Sequence, residues 1–355
     1  MGRPTIKDVA AEVGVSAQAV SLVINEKAGV SEDTRKAILA AIRKLDYTPR
    51  AWAQAMRGGE TRTLGFIYAG TRHGRLSASG YLEEILNGAL AAGNRRGYHL
   101  LLYSLQLGEL QGGGGTGLVW PKNLLGRVDG LVTVVSDLSE PHLDALEELG
   151  LPVVEIQREN ENAYTVCAND EGGLSSAVGY LVRRGHTRIA YLSRALSTYT
   201  SRARHSGYLK GLADHGLEYE EELTLYAEHG KADTIVITEH ANEPAEITQG
   251  HELTLELLRR RNPPTALICF DDLLALGALR AARSRSVRVP EDLAVIGFNN
   301  FSVAAAVDPP LTTIEFPAYD LGARAADLII DHLQEKPITE RHVTLPVTLV
   351  TRSTA

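Results

Sequence analysis

The sequence has few cysteines, few aromatic residues and no long apolar run. Its 355 residues include only two cysteines, Cys167 and Cys269, which lie far apart in strand-like apolar runs. We expect both to be buried free thiols, which fits a reducing compartment. No stretch approaches the roughly 20 apolar residues of a membrane span, and the N-terminus "MGRPTIKDVA" has no apolar signal sequence. These absences predict a cytoplasmic protein with no membrane partner.

Sequence motifs of metal-dependent, covalent and nucleotide chemistry are also missing. The chain has no HExxH, GxSxG, CxxC or Walker sequence, and its 11 histidines are scattered without the spacing of metal ligands. Asp271 and Asp272 are adjacent in sequence, which is a poor arrangement for paired acid–base work. We therefore expect no catalytic residue, no cofactor and no metal site. An enzyme built on a doubly wound sheet stays open as an alternative.

Basic charge is scarce overall but unevenly placed. The formal net charge is −8, yet residues 1–58 hold nine Lys or Arg against six Asp or Glu, while the remaining chain holds 27 against 38. A basic head on an acidic body is typical of a modular DNA-binding protein. With 44% hydrophobic and 23% charged residues, the chain can bury the cores of two or three domains.

Residues 5–45 have the pattern of three short helices, with Thr5, Ser16 and Ser31 as helix caps and a turn at Gly14. A second helix that begins "VSAQAVS" matches helix-turn-helix logic, in which the N-terminal residues of that helix meet base edges in the major groove. The amide of Gln18 is suited to adenine. Small residues such as Ala17 allow the helix backbone to approach the DNA closely. Ser16, Ser21 and Asn25 can reach phosphates. A small helical bundle with a polar face is the alternative.

From residue 62 onward strands alternate with helices, which predicts parallel sheets covered on both faces by helices. The strand-like runs are 63–68, 98–104, 129–135, 151–156, 188–193, 233–238, 265–270 and 293–298. The helical runs include 82–96, 171–184, 204–215, 249–261 and 272–285. Two such units in succession form two lobes with a cleft between them. A solute-binding protein of a transport system shares this two-lobed fold and is a further alternative.

The opening segment "TIKDVAAEVGVSAQAVSLVINEKAGVSEDTRKAILAAIRKLDYTPRAWAQAMR" resembles the head of the lactose/galactose repressor (LacI/GalR) family. The resemblance continues, in the family's order and spacing, through "LVRRGHTRIAYLS", "RARHSGYLKGL", "PPTALICFDDLLALGALRAA", "VPEDLAVIGFNN", "DPPLTTIEFP" and "LPVTLVTRSTA". It implies an all-α helix-turn-helix head plus an α/β two-lobed periplasmic-binding-protein-like core with two doubly wound parallel sheets.

The resemblance also implies how the chain is divided. Residues 1–46 are expected to form the DNA-binding domain, 47–61 the hinge helix and linker, and 62–355 the core for effector binding and dimerisation. Within the core, the expected N-lobe covers about 62–161 and 314–342, and the expected C-lobe covers about 162–313 and 343–355.

Several DNA contacts follow from the resemblance. Ala17, Gln18 and Leu22 fall at the family's base-reading positions. Members usually have arginine at the place of Leu22, so the resemblance leaves the base at that position open, with an apolar contact to a thymine methyl as one option. Met56 matches the hinge residue that pries open a base step, with packing against the partner hinge as the alternative. The complete predicted set is Thr5, Ser16, Ala17, Gln18, Ser21, Leu22, Asn25, Arg50, Ala53, Met56 and Arg57.

The resemblance places effector contacts in the cleft. Arg202 matches the arginine that forks onto ligand hydroxyls or carboxylates, with a surface helix charge as the alternative. Asp271 matches a carboxylate that accepts from sugar hydroxyls, with a helix N-cap as the alternative. Phe270 offers an aromatic face or simply fills the core. Gln157 stands where the lactose repressor has an aspartate, and Asn299 replaces the aspartate that family members often have after "GF". His73, Tyr81 and Phe316 are further candidates, for which helix-face or core packing is an equally good interpretation. The run "ANDEGG" at 168–173 is interpreted as structural.

These expectations combine into one hypothesis. The protein is a sequence-specific transcriptional regulator, a repressor that binds double-stranded palindromic operator DNA as a homodimer and lies at the nucleoid when bound. A small sugar-like effector in the cleft controls DNA binding. The alternative is the same scaffold responding to a nucleoside, a purine or a phosphorylated sugar, including as a corepressor.

Overall fold

The computed structural model describes residues 4–24, 28–45, 47, 60–70, 80–106, 124–134, 148–227 and 244–355, with only the backbone at 69, 70 and 106. The chain divides into two compact units, residues 1–61 and 62–355. Asn25, Arg50, Ala53, Met56, Arg57 and His73 lie outside the described residues, as does the predicted strand 233–238.

The first unit contains three helices, α1 (Ile6–Val13), α2 (Ala17–Ile24) and α3 (Glu32–Lys44). Gly14 ends α1 in the left-handed conformation at φ 73°, which glycine adopts without a Cβ clash and which turns the chain into α2. The small core buries one side of each helix and consists of Val9, Ala10, Val20, Val23, Ile38 and Ala41. The three-helix prediction is confirmed.

The second unit is built from twelve strands and seven helices within the described ranges. The strands are β1 (Thr63–Gly70), β2 (His99–Gln106), β3 (Gly130–Val134), β4 (Val153–Ile156), β5 (Tyr164–Ala168), β6 (Ile189–Arg194), β7 (Thr224–Ala227), β8 (Ala266–Cys269), β9 (Ala294–Asn299), β10 (Thr312–Glu315), β11 (His342–Leu345) and β12 (Thr348–Val350). The helices are α4 (Tyr81–Arg95), α5 (Asp170–Arg183), α6 (Tyr199–Asp214), α7 (Ala245–Leu258), α8 (Asp272–Ser284), α9 (Ser302–Ala306) and α10 (Ala318–Leu333).

The strands form two six-stranded sheets, as the alternation of strands and helices predicts. The first has the order β11-β5-β4-β3-β1-β2 and is parallel at every pairing. The second has the order β12-β10-β9-β8-β6-β7 and is parallel except for the antiparallel edge strand β12. Their central strands are buried on both faces, as expected when helices cover a parallel sheet.

Between the described strands, the chain crosses from one sheet to the other three times. The crossings fall after Ala168, after Glu315 and after Leu345. The predicted first boundary at about residue 162 is too early, because β5 pairs with β4 and therefore belongs to the first sheet. The predicted return at residue 343 falls inside β11, which also pairs with β5. Strand pairing, and not the local sequence, decides where each lobe ends.

Two glycines bring the helices of the first lobe into close contact. A Cβ on Gly88 of α4 would lie 1.8 Å from the Tyr319 carbonyl oxygen of α10, and a Cβ on Gly322 would lie 1.8 Å from that of Ile85. The backbones of α4 and α10 therefore touch directly, although more than 200 residues separate them in sequence. The last long helix thus completes a lobe that begins at β1.

Both cysteines are buried and unbridged, as predicted. Burial raises the pKa of the Cys167 thiol to about 11, so the thiol stays protonated at neutral pH. Among the helices of the described ranges, none combines the length and the apolar character needed to cross a membrane.

Candidate DNA-binding helix and effector cleft

Helix α2 of the head presents polar side chains at its N-terminus. The Ser16 hydroxyl accepts a hydrogen bond from the Ala19 amide at 3.1 Å and so caps the helix. Gln18 is exposed and Ala17 is half-buried. Thr5 and Asp8 form a similar cap on α1, where the Thr5 amide donates to the Asp8 carboxylate at 2.7 Å. The caps hold the backbone, so Gln18 is left projecting into solvent.

Leu22 and Ser21, one turn further along α2, are both half-buried. A Cβ built on Gly29 would lie 3.3 Å from a terminal methyl of Leu22. Leu22 therefore packs at the rim of the head and keeps part of its surface exposed. A contact of this exposed part with a thymine methyl stays a prediction.

In the core, the candidate site lies where parallel strands of both sheets end. Parallel sheets place their binding residues at the carboxyl ends of the strands. Gln157 follows β4, Phe270 and Asp271 follow β8, Asn299 ends β9, and Phe316 follows β10. Five of the predicted cleft residues therefore come from strand ends.

Arg204 on α6 stands at the centre of this region, and its residue surface is 3% exposed. Its Nε donates to the Asp170 carboxylate at 2.7 Å, one Nη donates to the Phe270 carbonyl oxygen, and the other donates to the Asn299 side-chain oxygen at 3.4 Å. The guanidinium carbon lies 3.5 Å from the Phe298 ring centroid. Hydrogen bonds and an aromatic face thus hold the planar group in one orientation.

Asp170 follows directly after the first crossing between the lobes and is 1% exposed. One carboxylate oxygen accepts from Arg204, and the other accepts from the Gln157 side-chain amide at 2.6 Å. The Gln157 oxygen in turn accepts from the Ala168 amide at 2.6 Å. A buried charge is tolerated when it is paired and hydrogen-bonded, and Asp170 meets both conditions. The network links α6 to the ends of β4 and β5.

Aromatic rings form one side of the same region. The Tyr81 and Phe316 rings have centroids 5.4 Å apart, and Phe316 lies 6.3 Å from Phe298. Burial, reinforced by the negative charge of Asp170, raises the pKa of Tyr81, so its hydroxyl stays protonated. Tyr81 and Phe316 therefore pack beside the Arg204 network, and a contact of either ring with an effector stays a prediction. In the structure the two rings pack against each other.

A second buried ion pair joins Arg194, at the end of β6, to Asp271. An Arg194 Nη lies 3.0 Å from one Asp271 oxygen and 3.5 Å from Glu246 of α7. The other Asp271 oxygen accepts from the Leu274 amide at 2.9 Å, so Asp271 caps α8. The N-cap alternative is therefore confirmed. In this conformation both oxygens of Asp271 are engaged by the protein.

Arg202 does not lie in this cluster. It is exposed and donates to the Ser197 carbonyl oxygen at 3.1 Å. Two residues along a helix rotate a side chain by about 200°, so Arg204 faces inward while Arg202 faces solvent. The prediction that Arg202 is the cleft arginine is wrong, and Arg204 occupies that place.

Asn299 ends β9 and accepts a hydrogen bond from Arg204. Its φ of 103° lies in the left-handed region, which asparagine tolerates better than most residues. The neighbouring Asp272 accepts from the Phe301 amide at 2.7 Å and from the Thr313 hydroxyl. Burial raises the pKa of Asp272 to about 7. These bonds tie β9, β10 and α8 together beneath Asn299.

Sequence reasoning missed Arg204, Asp170 and Arg194. Asp170 belongs to the "ANDEGG" run, which the sequence interpretation treats as purely structural. The available signal is position, since Asp170 follows a strand and Arg194 ends one. A charged residue directly after a buried strand is a cleft candidate in any doubly wound sheet.

Two family descriptions match the chain. Residues 5–50 match bacterial regulatory proteins of the lacI family, and residues 178–355 match a periplasmic binding protein-like domain. An HTH-type transcriptional repressor PurR of Vibrio atlanticus (strain LGP32) is 30% identical over 360 residues, covering 99% of this chain and 98% of the relative. The chain belongs to the lacI family. The PurR of Pasteurella multocida (strain Pm70) is 32% identical, with 94% of this chain and 92% of the relative covered.

Solved structures of the family have the same architecture. The lac repressor dimer bound to operator and the anti-inducer ONPF is similar with a TM-score of 0.79, at 26% identity and 99% coverage of both chains. The CelR–cellobiose complex is similar with a TM-score of 0.69, at 27% identity, covering 99% of this chain and all of that chain.

Membership in the lacI family decides between a transcriptional regulator, a solute-binding protein and an enzyme. This lacI-family protein is a DNA-binding transcriptional repressor with an effector-binding core, and it is not an enzyme. The head that matches residues 5–50 also excludes a plain solute-binding protein.

Proposed function

We propose that this repressor binds a palindromic operator as a homodimer and that its effector is a neutral, polyhydroxylated molecule, a sugar or sugar derivative. The parts proposed are the DNA-binding domain 1–46, the hinge 47–61 and the core 62–355. Gln18, Ala17 and Leu22 read bases, while Ser16, Arg50 and Arg57 serve phosphates and Met56 serves as the wedge. The protein acts in the cytoplasm, at the nucleoid when it is bound to DNA.

One observation carries the proposal for the effector. Both buried arginines of the described cleft are already paired with buried carboxylates, Arg204 with Asp170 and Arg194 with Asp271. Within the described residues, an added negative charge would be desolvated without an unpaired buried arginine to compensate it. A neutral molecule with hydroxyl groups suits such a site, since it needs hydrogen-bond partners and not a counter-charge.

The purine alternative is favoured by the identity to the PurR relatives. A flat base binds best against an exposed aromatic face. The Phe298 face, however, carries the Arg204 guanidinium at 3.5 Å, and the Phe270 ring lies 4.5 Å from the same group. Stacking on these rings requires displacement of a buried, paired arginine. The CelR–cellobiose complex, by contrast, is a family structure with a neutral sugar.

A thermal-shift screen tests the effector class. Neutral sugars such as cellobiose and glucose are compared with hypoxanthine, guanine and glucose 6-phosphate. At a ligand concentration of 100 Kd, binding stabilises the native state by about 2.7 kcal/mol, which is readily seen as a raised Tm. We expect only neutral sugars to raise it. Stabilisation by purines or phosphorylated sugars alone would reject the sugar proposal.

The coupling to DNA is tested with the sugar that stabilises the protein. Coupling free energies of about 1–3 kcal/mol correspond to a 5–150-fold change in affinity. We expect the sugar to lower operator affinity within this range in a gel-shift titration. A sugar that raises operator affinity would instead identify a corepressor, and sedimentation as a monomer at micromolar concentration would contradict the homodimer.

A further inference from the structure

The charge at the centre of the cleft depends on a single carboxylate. Among the described residues, the acidic group that pairs with Arg204 is Asp170, whose side chain is fully buried. The other oxygen acceptors of Arg204, the Phe270 carbonyl and the Asn299 amide, carry no net charge. The guanidinium therefore keeps an uncompensated positive charge whenever Asp170 is absent or neutral.

The second ion pair is different in this respect. Arg194 lies near two carboxylates, Asp271 at 3.0 Å and Glu246 at 3.5 Å, and the Glu246 side chain is 33% exposed. Loss of Asp271 would leave Glu246 beside the same guanidinium. A second carboxylate can thus still compensate the positive charge of Arg194 when Asp271 is lost. Among the described residues, Asp170 is the carboxylate that compensates the charge of Arg204.

Three of the five N–H groups of Arg204 are used by the described residues. Its two remaining N–H groups can donate to a ligand oxygen. A free guanidinium accepts phosphate and carboxylate groups in a bidentate geometry, so an unpaired arginine here would bind anions. Its pairing with a fully buried aspartate removes that attraction and leaves the hydrogen-bonding capacity.

We infer that Asp170 is the residue that determines effector charge: by neutralising Arg204 it makes the cleft reject anionic molecules, while Arg204 still donates hydrogen bonds to neutral ones. The inference rests on the proposed role of the cleft as the effector site. Gln157 supports Asp170, because its amide donates to the carboxylate oxygen that Arg204 does not use. The residue at position 170 is then a selectivity switch between uncharged and phosphorylated or carboxylated effectors.

Inorganic phosphate is the probe that tests this switch. Wild type, Asp170→Asn and Glu171→Gln are titrated with phosphate by calorimetry and thermal shift at constant ionic strength. Asparagine keeps the shape of the side chain and removes its charge. Glu171, the next residue on α5, accepts from the Ser206 hydroxyl at the surface and is the matched control for the loss of one acidic charge. We expect Asp170→Asn to bind phosphate about tenfold or more tightly than the other two proteins.

A double variant checks where the phosphate binds. In Asp170→Asn/Arg204→Gln the cation is removed as well, so the gain in phosphate affinity should disappear. If Asp170→Asn is too unstable to purify in chloride buffer, the equivalent positive result is recovery of folded Asp170→Asn, but not of Asp170→Asn/Arg204→Gln, in phosphate buffer, since phosphate also stabilises folded proteins in general. Equal phosphate binding by wild type and both single variants, or a gain that survives in the double variant, would overturn the inference.

Failure of this inference can be separated from failure of the proposed effector class. If no neutral sugar stabilises wild type but Asp170→Asn gains phosphate binding, the charge switch stands and the sugar proposal falls. If a neutral sugar binds wild type and Asp170→Asn gains nothing, the sugar proposal stands and the role of Asp170 falls.

Discussion

The two functional regions of this repressor expose their key side chains in opposite ways. In the head, Gln18 is exposed at the start of a capped helix. In the cleft, Arg204, Asp170 and Gln157 are buried and bonded to one another. An exposed residue that contacts DNA bases contributes to DNA binding without contributing to the stability of the fold. A residue in a buried charged network contributes to both, so its replacement should change stability as well as ligand choice.

The largest effect expected from this contrast is on stability at Arg204. Arg204→Met leaves Asp170 buried without its cation, and breaking a buried pair in this way costs about 3–5 kcal/mol. Arg202→Met removes an exposed arginine from the same helix and should change the free energy of unfolding by no more than about 0.5 kcal/mol. Urea denaturation of the full chain measures both. Equal losses in the two variants would show that the Arg204 network does not hold the cleft together.

In the head, the expected effect is on DNA affinity alone. Gln18→Ala should weaken cognate operator binding by about 1–3 kcal/mol and relax the preference at one base pair. Its free energy of unfolding should stay at the wild-type value, since the side chain is exposed. Gel-shift titration on the operator and on single-base variants provides the measurement. An unchanged base preference would mean that Gln18 does not face the bases.

The core contains a buried carboxyl group, Asp272, that should make its stability depend on pH. The pKa of Asp272 is raised to about 7 by burial, so the folded state binds a proton that the unfolded carboxyl releases near pH 4. The stability that this proton provides is present at low pH and is lost as the pH rises from about 4 to 7. A difference of about three pKa units corresponds to a loss on the order of 4 kcal/mol.

Asp272→Asn should therefore lose less stability than wild type between pH 5 and pH 8. Thermal unfolding across this range measures the slope, and Asp320→Asn, which removes an exposed carboxylate at the start of α10, is the control. A slope equal to that of wild type in Asp272→Asn would contradict the role of this carboxyl group.

The smallest expected effect is on the cap of α2. Ser16→Ala removes the acceptor for the Ala19 amide and should destabilise the head by about 1 kcal/mol. Ser16→Asn keeps a capping oxygen and should stay near wild type. Amide exchange at Val20 and Val23 follows the local opening of the helix. If Ser16→Ala lowers operator affinity without faster exchange, the hydroxyl acts on the phosphate and not on the helix.

The contrast also explains which predictions could be made from sequence. The head depends on neighbours within a few residues, so its three helices and the caps at Thr5, Ser16 and Ser31 were predictable. The alternation of strands and helices likewise predicted two parallel sheets. The cleft depends on which strand ends meet, and that information is not local. The motif contains both Arg202 and Arg204, and only the orientation of the helix distinguishes them, so the sequence alone does not identify the buried arginine.

Strand pairing is the other information that local patterns lack. The run 164–168 belongs to the first sheet because it lies between β4 and β11, and β11 comes from a part of the chain almost 180 residues later. No local pattern indicates such a neighbour. The sequence therefore predicts the first lobe boundary before β5, whereas the pairing of β5 with β4 puts it after β5.

The late arrival of α10 and β11 has a consequence for the synthesis of the protein. The first lobe begins at β1, but its helix α4 packs against α10 at Gly88 and Gly322, and α10 is complete only when residue 333 has left the ribosome. The first sheet likewise lacks its edge strand β11 until residue 345 has left the ribosome. Domains that are continuous in sequence fold as they emerge during translation. This core cannot do so: its first lobe waits, incomplete, while the whole second sheet apart from β12 is made. A stop codon anywhere before residue 318 would therefore leave the earlier lobe without the helix that packs on α4 and without the strand that pairs with β5.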